Sequence, residues 1–215
     1  MKKYGKAGLL IFTLVIPALI FTFLRYFASN HYDLPYFNPV LDQKGNVVIA
    51  GSDTVFKALP EIHFPGRSNS ANSKQPLRGN ITVINYIPAD CGDSCQLVLE
   101  QLKRIYALRT HIEGLKLISI AEQPADSLDK SVTREIGWPI LTGSAEEVAH
   151  VTETDLQMKA NLPGKKNIPL FSKLVLIDRK GYTRGYYNGT LPEEIDRLMA
   201  ELKILNFEEK ERLKH

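Results

Sequence analysis

The chain opens on an unbroken apolar stretch: residues 7–24, AGLLIFTLVIPALIFTFL, hold 18 positions without a charge. At ~1.5 Å of rise per residue, a helix of that length spans about 27 Å, enough for a thin bilayer. Lys2, Lys3 and Lys6 stand in front of it. The positive-inside rule therefore predicts a cytoplasmic N-terminus, with the rest of the chain beyond the membrane. Arg25-Tyr26-Phe27-Ala28-Ser29 follows without a small-x-small step, so the pattern predicts an uncleaved anchor over residues 1–28 rather than a signal peptide. The expected location is the cytoplasmic (inner) membrane, single-pass, with the domain facing the periplasm.

Beyond the anchor the pattern breaks into short elements. Residues 29–46, with SNHYDLPYFNPV at their start, read as an extended tether and entry segment. Val47 to Ile49 and Thr54 to Phe56 suggest short β-segments around a turn at Gly51 to Asp53, and Pro60 to Phe64 alternates as an edge strand does. Residues 66–80 are polar and small, and predict a loop. Ile81 to Ile87 (ITVINYI) is β-branched and aromatic throughout, the mark of a buried strand. Pro88 to Ser94 turns the chain. Leu99, Leu102, Ile105 and Tyr106 then recur at helical spacing, predicting a helix from Cys95 to about Thr110.

Leu115 to Ile120 and Lys173 to Asp178 predict two more buried strands, with helices expected over 127–136 and 145–151 between them. Arg179-Lys180-Gly181 turns into Tyr182 to Tyr187, an antiparallel partner. Thr190-Leu191-Pro192-Glu193 predicts a capping box with proline in the first turn, opening a helix marked by Ile195, Leu198, Met199, Leu202 and Leu205. Strand–helix–strand, then helices, a hairpin and a last helix, describes an α/β sheet covered on both faces, the thioredoxin-like arrangement. The predicted organisation is an anchor over 1–28, a tether over 29–46, the α/β domain over 47–206 and a charged tail over 207–215.

Composition narrows the functional classes. The chain of 215 residues is 44% hydrophobic, which excludes wholesale disorder, and its two cysteines cannot build a disulfide-dense scaffold. The net charge of +3 comes entirely from Lys2, Lys3 and Lys6, so residues 25–215 carry 24 basic and 24 acidic side chains. Without a basic surplus outside the leader, no nucleic-acid partner is expected.

The candidate chemistry is the segment PADCGDSCQ, which holds both cysteines, Cys91 and Cys95. It joins the carboxyl end of a buried strand to a helix, where open α/β sheets place their chemistry. Two thiols at this spacing can pair as a disulfide or converge on one metal ion. As a purely structural disulfide the pair would close a ring of only five residues, the kind that restricts an unfolded chain least. A redox-active thiol pair is the favoured reading. The helix N-terminus favours a thiolate at Cys95, with Asp93 or Ser94 available to cap it, while Asp90 and Asp93 act against ionisation. Exposure favours Cys91 as the attacking sulfur.

Four segments in order resemble the Sco/SenC family of membrane-anchored, thioredoxin-like proteins that serve copper delivery to cytochrome c oxidase. The anchor followed by NHYDLPYFNPV looks like the family's tether, and ITVINYIPADCGDSC resembles its strand leading into Cys-x-x-x-Cys. GWPILTGSAEEV, residues 137–148, is similar to its Trp-containing loop and short helix; KLVLIDRKGYTRGYYNGT, residues 173–190, resembles its hairpin. The resemblance implies copper as a ligand of Cys91 and Cys95. It implies as partner the copper-site subunit of cytochrome c oxidase, or another thiol protein.

The departures bear on how much of this carries over. The family's third copper ligand is a His about eight residues before the hairpin Asp; here, eight before Asp178, stands Leu170. No His lies between His150 and His215. Ala121-Glu122-Gln123-Pro124 replaces the family's Asp-Pro, and Gly92 and Gln96 stand where the proline of the cysteine loop is usual. Cu(I) can be held by two thiolates, whereas Cu(II) wants nitrogen or oxygen donors too, so copper binding is expected to be weakened, most of all for Cu(II). His150, Met158, His63 and His111 are read as surface or packing residues, Trp138 as packing, and Pro169 as a weak counterpart of the proline that thioredoxins hold beside their thiols. Three functions stay open: an oxidase-assembly factor acting chiefly through thiols, a general periplasmic thiol–disulfide oxidoreductase, and a non-catalytic interaction module.

Overall fold

Five strands form the central sheet of this computed structural model, in the order Ile140–Gly143 (β7), Leu115–Glu122 (β6), Ile81–Ile87 (β5), Lys173–Ile177 (β8) and Thr183–Asn188 (β9). Residues 12–23, 34–64, 74–122, 136–158 and 168–212 are described, with side chains as far as 208. The parallel core is β5 (Ile81–Ile87), β6 (Leu115–Glu122) and β7 (Ile140–Gly143), with β5 and β6 in register from Ile81 opposite Leu115 to Ile87 opposite Ala121. β8 (Lys173–Ile177) runs antiparallel to β5, and β9 (Thr183–Asn188) antiparallel to β8, with Gly181 at φ 91° closing the turn. Only a residue without Cβ adopts that angle at no steric cost. The thioredoxin-like α/β class is therefore observed, and the predicted helix over 127–136 lies outside the described residues.

The continuous apolar runs are explained by burial on both faces. On one face Ile81, Val83 and Ile87 of β5 meet Leu117 of β6 and Leu174 and Leu176 of β8. Val98, Leu102 and Ile105 of α2 (Asp93–Ala107), with Ile195, Leu198 and Leu202 of α4 (Pro192–Arg212), cover that face. On the other, Ile84, Ile118, Ile120, Val175 and Ile177 pack under Val148 of α3 (Ala145–His150). Ile62, Phe64 and Leu77 join them from around the ribbon of β3 (Glu61–His63) and β4 (Lys74–Pro76). Of the loop expected over 66–80, residues 74–76 are thus a strand: Lys-Gln-Pro has no alternation of its own and is ordered by pairing with β3. A small hairpin, β1 (Ile49–Ala50) with β2 (Asp53–Thr54), precedes them.

Three further expectations are corrected. Ile140–Gly143, read as loop, is the edge strand β7. Thr190 does not cap α4: its N–H and hydroxyl both go to Asn188 Oδ1 (3.1 and 2.7 Å), and the Leu191 carbonyl receives the N–H groups of Glu194 and Ile195. The capping box is found instead at α3, where Glu147 N–H donates to Ser144 Oγ (3.3 Å) and Ser144 N–H to Glu147 Oε2 (2.8 Å). The segment read as tether is bound to the domain from Leu34 onward. Arg184 donates to the carbonyls of Leu34 (2.6 Å) and Pro35 (3.2 Å) and pairs with buried Asp178 at 3.0 Å.

The chain divides into two compact units, residues 1–33 and 34–215. In the first, residues 12–23 form helix α1, inside the apolar run, and Thr22 Oγ1 donates to the Ala18 carbonyl at 2.7 Å. Among the described residues no helix is long and apolar enough to cross a membrane, and the flanks of the predicted anchor lie outside them.

Among the described residues, burial shows itself in three tyrosines. Desolvation, with the Glu122 carboxylate beside it, pushes Tyr86 up to about 12; desolvation pushes Tyr186 up to about 12 as well. Desolvation and the hydrogen bond to Glu201 raise Tyr187 too. An unfolded tyrosine ionises near ~10. Between about pH 10 and 12 the folded chain therefore holds more protons than the unfolded one, and stability falls as pH rises through that window. Phenolate absorbance is expected to show Tyr86, Tyr186 and Tyr187 ionising late, released together as the chain unfolds. Nine phenols titrating together near pH 10 with the fold intact would contradict the burial.

Candidate functional site

β5 ends at Ile87; Pro88, Ala89 and Asp90 carry the chain over the sheet's carboxyl edge to Cys91, and α2 starts two residues later. Cys91 and Cys95 are joined as a disulfide with their Cα atoms 5.2 Å apart, within the usual span of such bridges. The two sulfur-bearing residues differ in access. Cys95, in the first turn of α2, is 4% exposed and belongs to the cluster built by Ile87, Val98 and Leu99. Cys91 is half-buried at the margin of the same cluster.

Gly92, not Asp93 or Ser94, is the N-cap of α2. It is extended (φ −69°, ψ −174°), its carbonyl receives the N–H groups of Cys95 (2.9 Å) and Gln96 (3.1 Å), and no side chain caps the helix. The expectation failed because a cap must lie outside the first helical turn, and both polar candidates lie within it. The uncapped first turn presents its amides, and the positive end of the helix, beside the disulfide.

Beneath the site, on the same face of the sheet, runs a buried polar string. Trp138 Nε1 donates to Ser119 Oγ (2.8 Å), which donates to Asn85 Oδ1 (2.7 Å). The indole also lies 5.3 Å from the Tyr106 ring, whose hydroxyl donates to the Gly137 carbonyl (2.7 Å). Trp138 thus locks the segment before β7 to α2. Sequence reasoning misses the string; Asn85 and Ser119, polar residues on the strand face that otherwise carries Ile81, Val83, Leu115 and Leu117, are the signal that could have found it.

The candidate third ligands lie elsewhere. Leu170 begins a short 3-10 turn, Leu170–Ser172, and is half-buried against the cluster on the face opposite the cysteines; its neighbour Phe171 packs on the cysteine face. Met158 is fully buried on that opposite face, where it fills core. His63 and His111 are exposed, and exposed His150 lies 3.6 Å from the Asp155 carboxylate. Pro169 is exposed ahead of the 3-10 turn, and its carbonyl takes up the Ser172 N–H and hydroxyl at 3.0 and 2.8 Å. Among the described residues no three His, Cys, Asp or Glu side chains gather into a metal-holding group. Among the described residues Cys91 and Cys95 stand without a third such side chain placed to share a metal with them.

The mixed sheet with helices on both faces is a thioredoxin-like fold, and the Cys-x-x-x-Cys disulfide sits in it where a central strand meets its helix. The structure is similar to that of the apo Sco1 protein from Thermus thermophilus, at 18% identity, over 70% of this chain and 94% of that one, with a TM-score of 0.50. It is similar also to a SCO1/SenC family lipoprotein from Bacillus anthracis, at 16% identity, over 82% and 96% of the two chains, with a TM-score of 0.49. The thioredoxin domain of a thiol-disulfide oxidoreductase from Bacteroides vulgatus matches at 15% identity, over 78% and 96%, with a TM-score of 0.42. No protein-family model and no curated protein matches the chain. At these identities the likeness is one of fold.

Proposed function

We propose that this protein is a membrane-anchored, extracytoplasmic Sco/SenC-like assembly factor for the copper site of a respiratory cytochrome c oxidase, acting chiefly by thiol–disulfide exchange. The observation that carries the chemical half is the asymmetric disulfide: Cys91 is half-buried at the sheet's carboxyl edge, and Cys95 is 4% exposed in the first turn of α2. The oxidase half is supported by the four segments that resemble the family, and the periplasmic location by the charge-free run over 7–24 behind three lysines.

The exchange follows from access. A partner thiolate attacks Cys91 Sγ, the bond to Cys95 breaks, and the electron pair leaves on Cys95 Sγ beside the α2 N-terminus. A second partner thiolate then attacks the mixed disulfide. The partner is oxidised to a disulfide, and Cys91 and Cys95 are left as thiols carrying the partner's two protons. Run backwards, the reduced pair opens a partner disulfide, and a dithiol donor must regenerate it.

Copper is cargo in this reading, held as Cu(I) by the two reduced sulfurs. Titrating the reduced full chain is expected to show Cu(I) binding that Cys91→Ser together with Cys95→Ser abolishes, and Cu(II) binding no tighter than in that double variant. Tight Cu(II) binding by the parent chain would show a third donor and overturn the thiol-centred account. In cells lacking the gene, the parent chain is expected to restore oxidase activity and the double variant to fail. A double variant that restores full activity would leave only the non-catalytic module.

The second reading, a general thiol–disulfide oxidoreductase, is favoured by one observation: Leu170 packs on the face away from the sulfurs, so nothing at that position serves a metal. Exchange with many partners and no oxidase defect on deletion would establish it.

A further inference from the structure

The described segment that carries the disulfide is charged with one sign. Asp90 and Asp93, both exposed, flank Cys91, and neither has an ion-pair partner among the described residues. Residues 79–102 contain no Lys, Arg or His. Two of the other described segments that reach the same cluster, 136–139 and 168–172, carry no charge. Beside the carboxylates stands an unpartnered apolar group. Leu97, four residues after Asp93 and so on the same stripe of α2, is 57% exposed, while Cys95, Val98 and Leu99 turn inward.

We propose that the partner is a cysteine-bearing protein segment with cationic residues, Lys or Arg, beside its reactive cysteine, together with an apolar side chain that covers Leu97. The inference rests on the exchange reading above and adds to it the chemistry of the substrate. The α2 N-terminus does not oppose it. That positive end lies at the sulfurs and serves the leaving thiolate, whereas the two carboxylates sit on the solvent side, where the flanks of an incoming segment pass. Two exposed carboxylates act mainly on encounter rate, and their effect is screened by salt. The covalent step is unchanged: the segment's thiolate attacks Cys91 Sγ, Cys95 leaves, and a second thiol of the same peptide completes its oxidation.

The test is reduction of the full chain's disulfide by three synthetic dithiol peptides of equal length, flanked by Lys, by neutral residues or by Glu, with rates expressed per thiolate. At low ionic strength the Lys-flanked peptide is expected to react about tenfold faster than the Glu-flanked one, the ratio shrinking as salt is raised. Asp90→Asn together with Asp93→Asn is expected to bring the ratio close to one. If the neutral peptide fails to reduce the disulfide, the exchange reading falls and this inference with it. If the neutral peptide reacts but the ratio is near one, inverted, or unmoved in the double variant, the charge preference is wrong and exchange stands.

Discussion

Cys91→Ser is expected to reduce exchange with a dithiol partner to the uncatalysed background, whereas Cys95→Ser is expected to trap the partner as a lasting mixed disulfide. The reason is geometric. Attack needs a sulfur that an incoming thiolate can approach, and Cys95, 4% exposed beneath Val98 and Leu99, offers none. With Cys95 replaced, the Cys91 mixed disulfide has no resolving thiol behind it and persists. Loss of the ring of five residues costs about 2 kcal/mol by the chain-entropy estimate, a small part of the stability of a domain this size. Both variants are therefore expected to fold. Non-reducing electrophoresis of each single variant with a partner dithiol reads the outcome directly. A stable adduct on Cys91→Ser, with none on Cys95→Ser, would reverse the assignment.

Arg184→Met is expected to cost about 3–5 kcal/mol and to lower the melting temperature by roughly 10 °C, the largest stability effect of any single polar change in the domain. Arg184 and Asp178 are a buried pair, 3.0 Å apart, with side chains only 5% and 9% exposed. Removing the guanidinium leaves a carboxylate with water excluded and only the N–H groups of Lys180 (2.9 Å) and Tyr182 (3.0 Å) as donors. It also frees the carbonyls of Leu34 and Pro35 and removes the cation stacked 4.0 Å from the Tyr36 ring. Hydrogen exchange should then rise over residues 34–38 before the sheet opens. An unchanged melt would mean that the pair contributes little beyond its own desolvation.

The same pair shows where the sequence was silent. Asp178 was legible as a strand end and Arg184 as part of a strand, but nothing in their spacing says that the arginine turns inward to hold the chain 150 residues earlier in sequence. Residues 29–46 accordingly read as an extended tether and entry segment, and from Leu34 on they are held to the domain. β5, β6 and β8 were legible because strands buried on both faces need apolar residues at nearly every position, and β9 because the Arg179-Lys180-Gly181 turn follows β8 directly. β7 was hidden by its length of four residues behind Pro139, and β4 by Lys-Gln-Pro, which takes its conformation from β3. At the site, the thiol pair and its place at the end of β5 were readable, because motif and strand adjoin in sequence. The face on which Leu170 packs was not, since a count of eight residues back from Asp178 fixes position along the chain and not the side of the sheet.

The reduction potential of the Cys91–Cys95 bond decides the central claim. Equilibrating the full chain in thiol redox buffers and counting reduced molecules by alkylation and mass should give a potential above about −300 mV, within reach of cellular dithiols. A value below about −300 mV, where bridges that merely brace a fold are found, would contradict it.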